Sequence, residues 1–415
     1  MVALEQTRED VHPAWTMPLD QINVADPVLF QNNDIYEYFR RLRAEDPVHL
    51  ADGGEDIGRY WSVTKWHDIV HVDTNHEIYS SEPTITLFDP KDDFRLAMFI
   101  AMDPPKHDVQ RKTVQPIVAP ASLASLESVI RERAGKILDE LPRGEVFDWV
   151  DRVSIELTTQ MLATLFDFPW EDRRLLTWWS DVATSPIEAG LVASEDERRA
   201  ILFECVAYFT NLWNERVNAE PKPDLISMLA HGEHTRNMDQ MEYLGNLILL
   251  IVGGNDTTRN SISGGLYALN KNPAEYDKLR AGGAAMIPGM VSETIRWQTP
   301  LAYMRRTVTQ DTELGGKSLK KGDKVAMWYV SGNRDEDVIE NGEAFIIDRP
   351  RARQHMSFGF GIHRCVGNRL AEMQLRVVWE EILKRFQKIE LVGEPERVYS
   401  SFVKGYAKMP VRIVG

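Results

Sequence analysis

The sequence predicts a mainly α, α+β protein with small β-sheets at its periphery, and three observations predict it. Apolar residues recur at helical spacing through most of the span from about residue 120 to 300. A further stretch, from about 366 to 386, carries Val366, Leu370, Met373, Val377 and Val378 on one helical face. Strand-like runs are short. They are confined to residues 47–63, to 324–330 and to roughly the last forty positions.

The elements follow in order. Residues 1–30 form a polar segment that includes Glu5, Glu9 and Asp10 and lies outside every motif described below. Pro47 to Ala51 and Gly58 to Val63, separated by Asp52-Gly-Gly-Glu-Asp56, read as a hairpin with turn chemistry. Trp66-His67-Asp68-Ile69-Val70-His71 reads as a short surface helix. Its two histidines have zinc-site spacing, but Asp stands where the metallohydrolase pattern has Glu, and no third ligand follows. Pro120 opens a helix, Pro288 lies near the start of another, and Pro300 ends that one. The stretch Ala219-Glu-Pro-Lys-Pro and residues 231–237 are loops flanking a short helix. No repeat, low-complexity run or interdomain linker interrupts the chain, so residues 1–415 read as one domain.

Bulk numbers exclude several classes. The 415 residues are 43% hydrophobic and 27% charged, which is ordinary for a globular protein. The longest apolar run, Leu247 to Val252, is far too short to span a bilayer, and no secretory signal is visible. Two cysteines make no disulfide framework and fit a reducing cytoplasm. A net charge of −15 argues against nucleic acid or an anionic membrane as the main partner. Against that background Arg349, Arg351, Arg353, Arg364 and Arg369 fall in a stretch without acids. This is either a solvated basic loop or a docking patch for an acidic partner.

Three constellations carry chemistry. In Phe358-Gly-Phe-Gly-Ile-His-Arg-Cys-Val-Gly367 a thiol precedes a helix, whose dipole and free N–H groups favour its anion. Gly361 and Gly367 allow close approach to something bulky, and Phe358 can shield the sulfur. Such a thiolate suits ligation of haem iron, whereas a lone cysteine is otherwise a buried structural residue. The second constellation begins as the buried helix Leu247 to Val252 and meets Gly253-Gly-Asn-Asp-Thr-Thr258. Each glycine costs about 1 kcal/mol in a helix interior. A local opening of the helix, with Asp256 as proton gate and Thr257 as donor to bound oxygen, would explain them. A helix end followed by an Asn/Asp cap explains them equally well. The third is Glu293-x-x-Arg296 on an apolar helix, for which Arg349 can supply a further partner.

Together, in this order and spacing, these motifs resemble a cytochrome P450 over nearly the whole chain. The resemblance extends to Asp103-Pro-Pro-Lys-His107-Asp-Val-Gln-Arg111 and to Asn333-Arg-Asp335. It implies haem b as cofactor, with Cys365 as the axial thiolate and sole metal ligand. It implies propionate contacts from His107, Arg111, Arg306 and His363, with Arg305 the near alternative to Arg306. It also implies haem contacts from Phe358 and Gly254, oxygen chemistry by Asp256 and Thr257, and a structural triad of Glu293, Arg296 and Arg349. Electrons would come from a separate ferredoxin and ferredoxin reductase, meeting a basic rim that includes Arg111 and Lys112.

Within the family, residues 98–107, 253–260 and 355–363 are similar to bacterial alkane and fatty-acid terminal hydroxylases. This implies O2-dependent hydroxylation of a medium-chain alkane or fatty acid at its terminal methyl, with a terpenoid, steroid or aromatic substrate as the alternative. The expected apolar pocket is Leu87, Phe88, Met98, Phe99, Leu250, Leu301, Ala302, Met304, Phe402 and Val403, about half of them plain core. Arg95 is the candidate anchor for a carboxylate. A haem-thiolate sensor or a peroxygenase would not need the acid and alcohol at 256 and 257.

Overall fold

A computed structural model describes residues 11–90 and 94–414, so the first ten positions of the polar segment lie outside it. Helices dominate, and the longest, Gln240–Lys271, runs through the middle of the largest apolar cluster. Asp239 caps its start by accepting from the Glu242 N–H, and Pro273 opens the next helix just beyond its end. Around it pack the helices Glu156–Phe166, Arg174–Thr184, Ile287–Gln298 and Asn368–Arg385. Most positions of the long helix are buried, as expected for one surrounded by neighbours on all sides.

The predicted hairpin is present as Val48–Asp52 against Arg59–Val63, with a short helical turn, Gly54–Ile57, between them. It continues into a five-stranded sheet. Arg59–Val63 pairs in parallel with Lys324–Met327, which pairs antiparallel with Met304–Val308, and Tyr79–Ser80 closes the edge. A second sheet joins Val146–Asp148, Pro410–Val414 and Lys388–Leu391. Both sheets are peripheral to the helices, as the sequence predicts.

The helix expected at 366–386 runs over Asn368–Arg385, with Leu370, Val377 and Val378 buried and Lys384 and Arg385 complementing its C-terminal dipole. Val366 therefore precedes the helix. The helix expected after Pro288 spans Ile287–Gln298 and stops at Thr299, which takes a left-handed conformation before Pro300. His67 and His71 belong to the helix Trp66–Thr74. No metal-binding group of His, Cys, Asp or Glu occurs among the described residues, and no described helix is long and apolar enough to cross a membrane.

Candidate active site

One cavity of about 1270 Å³ lies between the loop before Asn368–Arg385 and the middle of Gln240–Lys271. Cys365, Phe358, His363, Val366 and Gly367 form one wall; Gly253, Gly254, Thr257 and Leu250 form the opposite one. Its volume exceeds the roughly 300–1,000 Å³ of an ordinary small-molecule pocket, so it has room for a large planar group and a second molecule.

The Cys365 side chain faces this chamber while protein surrounds it elsewhere, so it has accessible surface inside the chamber yet little contact with bulk solvent. Its N–H donates to the Phe358 carbonyl at 2.8 Å, which closes the loop. Burial pushes the thiol up, while the N–H groups of Gly367 and Asn368 and the charges of Arg111 and Arg364 pull the other way. The shelter expected from Phe358 therefore opposes the acidity expected from the helix end. The helix begins three residues beyond the sulfur, and the N–H groups of its cap, Gly367, and of its first residue, Asn368, favour the anion as expected of a helix end.

The long helix is unbroken, and this corrects both expectations for Gly253 and Gly254, the local opening and the helix end followed by a new cap. Its glycines have another reason. A Cβ on Gly253 would meet nothing within 4 Å, because the helix backbone itself forms the cavity wall there. A Cβ on Gly254 would come 2.7 Å from the Leu162 side chain. The Thr257 hydroxyl lies on the cavity wall and donates back to the Gly253 carbonyl at 3.0 Å. Asp256 is fully buried and does not line the cavity. It points toward the Arg174–Thr184 helix, accepts from Ser180 at 3.1 Å and from Asn255 at 3.0 Å, and pairs with Arg259 at 3.0 Å. Burial lifts its carboxyl to about 6, against the pull of Arg259 and with the push of Asp181. The two residues thus face different ways, as neighbours in a helix must.

Basic and N–H donors gather at one end. Arg111, Arg306 and His363 line the cavity, and the His107 ring sits 4.3 Å from that of His363, centre to centre. Neither nitrogen of His363, nor Nε2 of His107, has a partner among the described residues, although both rings are buried. Burial, and next the charge of Arg306, hold His363 neutral, down to about 2. Arg305 turns away to Asp89, at 2.7 Å. Buried donors without acceptors at the edge of an apolar chamber are what a flat apolar group bearing carboxylates would satisfy.

The triad is assembled as expected. Arg296 grips both Glu293 oxygens at 2.7 and 2.8 Å, and Arg349 reaches Glu293 at 3.0 Å. Arg349 is therefore no part of a surface patch, whereas Arg351, Arg353, Arg364, Arg369 and Lys112 are exposed.

Of the expected pocket, Met98, Phe99, Leu250, Leu301, Phe402, Phe88 and Met304 line the cavity. Leu87, Ala302 and Val403 do not, and this corrects them. Leu87 and Ala302 are buried with Tyr303 and Trp328 in a separate core cluster, and Val403 pairs its backbone with Leu301. Sequence reasoning missed Leu202 and Ile187, which reach the cavity from the 187–217 region and carry no local signal. Arg95 is exposed, 3.8 Å from Glu82, and does not line the cavity; Arg198 and Arg199 do.

The profile of the family described as cytochrome P450 matches residues 143–403, and the curated linalool 8-monooxygenase of Pseudomonas putida is 34% identical over 95% of this chain and 100% of its own. The chain belongs to the cytochrome P450 family. It is accordingly an O2-dependent monooxygenase that binds haem through a cysteine thiolate, and its fold matches solved P450 structures. Cytochrome P450-153 from Novosphingobium aromaticivorans superposes with a TM-score of 0.88 at 46% identity, covering 94% of this chain and 99% of that one. CYP153D17 from Sphingomonas does so at 0.89 and 51% identity, covering 95% and 99%. The methyl-branched lipid omega-hydroxylase of Mycobacterium tuberculosis is 31% identical over 90% of each chain.

Proposed function

We propose that this P450 works as one domain over residues 1–415 and hydroxylates a linear aliphatic substrate, a medium-chain alkane or fatty acid, preferentially at the terminal methyl. The observation that carries this reading is the shared chamber: Cys365 on one wall, Gly253 and Thr257 on the other, and apolar side chains closing the rest. When bound, haem supplies oxygen activation and insertion into a C–H bond. Cys365 would hold its iron, with Phe358 and Gly254 against the macrocycle. His107, Arg111, Arg306 and His363 would take the propionates, since neutral N–H and guanidinium donors suit carboxylates.

Met98, Phe99, Leu250, Leu301 and Phe402 bind an alkyl chain by area alone, so orientation depends on the shape of the wall. Thr257 can turn its hydroxyl from the Gly253 carbonyl into the chamber and donate there. Asp256, with a carboxyl poised near 6, is suited to passing protons once its side chain leaves Arg259 and Ser180. Electrons would come from a separate ferredoxin and its reductase in the cytoplasm. The exposed Arg351, Arg353, Arg364, Arg369 and Lys112 on the cysteine side offer an acidic partner complementary charge.

Attack at a chain terminus is supported by a relative whose name specifies omega-hydroxylation. A second reading, a terpenoid or steroid substrate, is favoured by the relatives named linalool 8-monooxygenase and steroid C26-monooxygenase. Titrating haem spin state with alkanes, fatty acids, linalool and a sterol, then analysing the products, separates them. Terminal alcohols from linear chains support the first reading. Turnover of linalool or the sterol alone overturns it.

A further inference from the structure

We propose that Asp73 is a positioning residue for the haem, a single buried carboxylate that locks Arg306 to the Cys365 loop and sets the charge balance on that side of the group. The proposal rests on reading Cys365 as the residue that would hold the haem iron and Arg306 as one that would take a propionate.

Asp73 is 2% exposed and is the penultimate residue of the helix Trp66–Thr74. A carboxylate there faces the negative end of the helix dipole and is also desolvated, two unfavourable terms. Three donors from three different segments offset them. Arg306, on the strand Met304–Val308, donates from Nη2 to Oδ1 at 2.7 Å. Tyr329 donates its hydroxyl to Oδ2 at 3.0 Å. The Phe360 N–H, inside the cysteine loop, donates to Oδ2 at 2.8 Å.

The loop is moulded to this helix end. Gly359 and Gly361 have φ of +64° and +63°, conformations that favour glycine. A Cβ on Gly359 would lie 3.2 Å from Asp73 Oδ2, and one on Gly361 would lie 2.5 Å from the Asp73 carbonyl oxygen. The bulky object that Gly361 admits is therefore the end of the Asp73 helix. Arg306 and Gly359 line the cavity and Asp73 does not, so the carboxylate acts through them.

With Nη1 of Arg306 donating to the Arg305 carbonyl at 2.9 Å and Nη2 committed to Asp73, the guanidinium is fixed in place and largely neutralised. Removing the Asp73 charge while keeping its shape leaves Arg306 as an uncompensated cation beside the haem. That cation disfavours the more positive ferric state and raises the midpoint potential. Removing the Tyr329 hydroxyl has the opposite sign, because the carboxylate loses a donor that spreads its charge.

The test compares haem-loaded parent, Asp73→Asn and Tyr329→Phe by spectroelectrochemistry, ferrous–CO spectrum and transfer of haem to an acceptor apoprotein. Asp73→Asn is expected to raise the potential, to convert part of the ferrous–CO band to the form lacking thiolate, and to release haem roughly tenfold faster. Tyr329→Phe is expected to lower the potential. Variants that melt earlier while the potential and band stay parental would show a merely structural carboxylate and overturn the proposal. Should Asp73→Asn fail to load haem, Tyr329→Phe decides alone, and an unchanged potential overturns it. The underlying reading fails separately, through a thiolate band that survives Cys365→Ser.

Discussion

The two sides of the cavity are built by opposite means. On the cysteine side, directional polar bonds hold nearly every element. Glu293 receives Arg296, Arg349 and the Ile346 N–H, and Arg296 in turn donates to the carbonyls of Asn333, Gly342 and Ala344. Asp73 ties three more segments together. On the far side, Met98, Leu250, Leu301 and Phe402 offer half-buried apolar surface, and Gly253 exposes bare helix. Polar partners must meet at fixed distances and angles, so that side is rigid. Apolar walls need only area and fit, so their residues can change with the substrate.

Breaking the polar side should have the largest effect. Glu293→Gln leaves Arg296, which has no accessible side-chain surface, without its counter-charge, and is expected to destabilise the fold by about 3–5 kcal/mol. Burial alone would raise the Glu293 carboxyl, yet Arg296 and Arg349 hold it below the usual range, so the pair stays ionised at neutral pH. Urea denaturation measures the loss, and a change below 1 kcal/mol would refute the rigidity assigned to this side.

A smaller effect, on chemistry rather than folding, is expected from Thr257→Ala. Product formed per electron consumed should fall by about tenfold or more, with melting temperature little changed. Electron consumption against product yield checks it, and unchanged coupling would remove Thr257 from the relay.

His355 sharpens the comparison through pH. Burial and the nearby Arg296 depress it to about 4, so it is neutral in the folded protein and protonates near 6.5 once unfolded. A base depressed by folding contributes nothing above pH 6.5, and stability falls as pH drops from about 6.5 to 4, by up to about 1.4 kcal/mol per unit. His355→Gln should flatten the denaturation profile over that window.

The smallest effect is expected on the apolar side. Gly253→Ala meets open space and improves helix propensity, so it should stabilise by up to about 1 kcal/mol while changing substrate affinity. Thermal melts and spin-state titrations read both, and a destabilised variant would contradict the open wall.

The same contrast explains what was legible in the sequence. The Cys365 loop, Glu293 with Arg296, and the hairpin before Val63 carry short-range spacing, so local reasoning found them. Seven of the ten expected pocket residues line the cavity, but Leu87, Ala302 and Val403 could not be told from wall residues, since burial in core and burial in a pocket select the same side chains. Asp73 gave no signal, because its partners lie 233, 256 and 287 residues away. The outward turn of Asp256 depends on Arg259 and Ser180, and a motif alone does not show it.

The central claim is that Cys365, and not Cys205, supplies the thiolate. Cys205 lies buried within the helix Glu195–Val217, where desolvation pushes its thiol far up, and it does not line the cavity. The ferrous–CO spectrum of haem-loaded Cys365→Ser tests this directly. The account predicts loss of the red-shifted thiolate band in this variant and its retention in Cys205→Ser. A Cys365→Ser protein that keeps the band would contradict it.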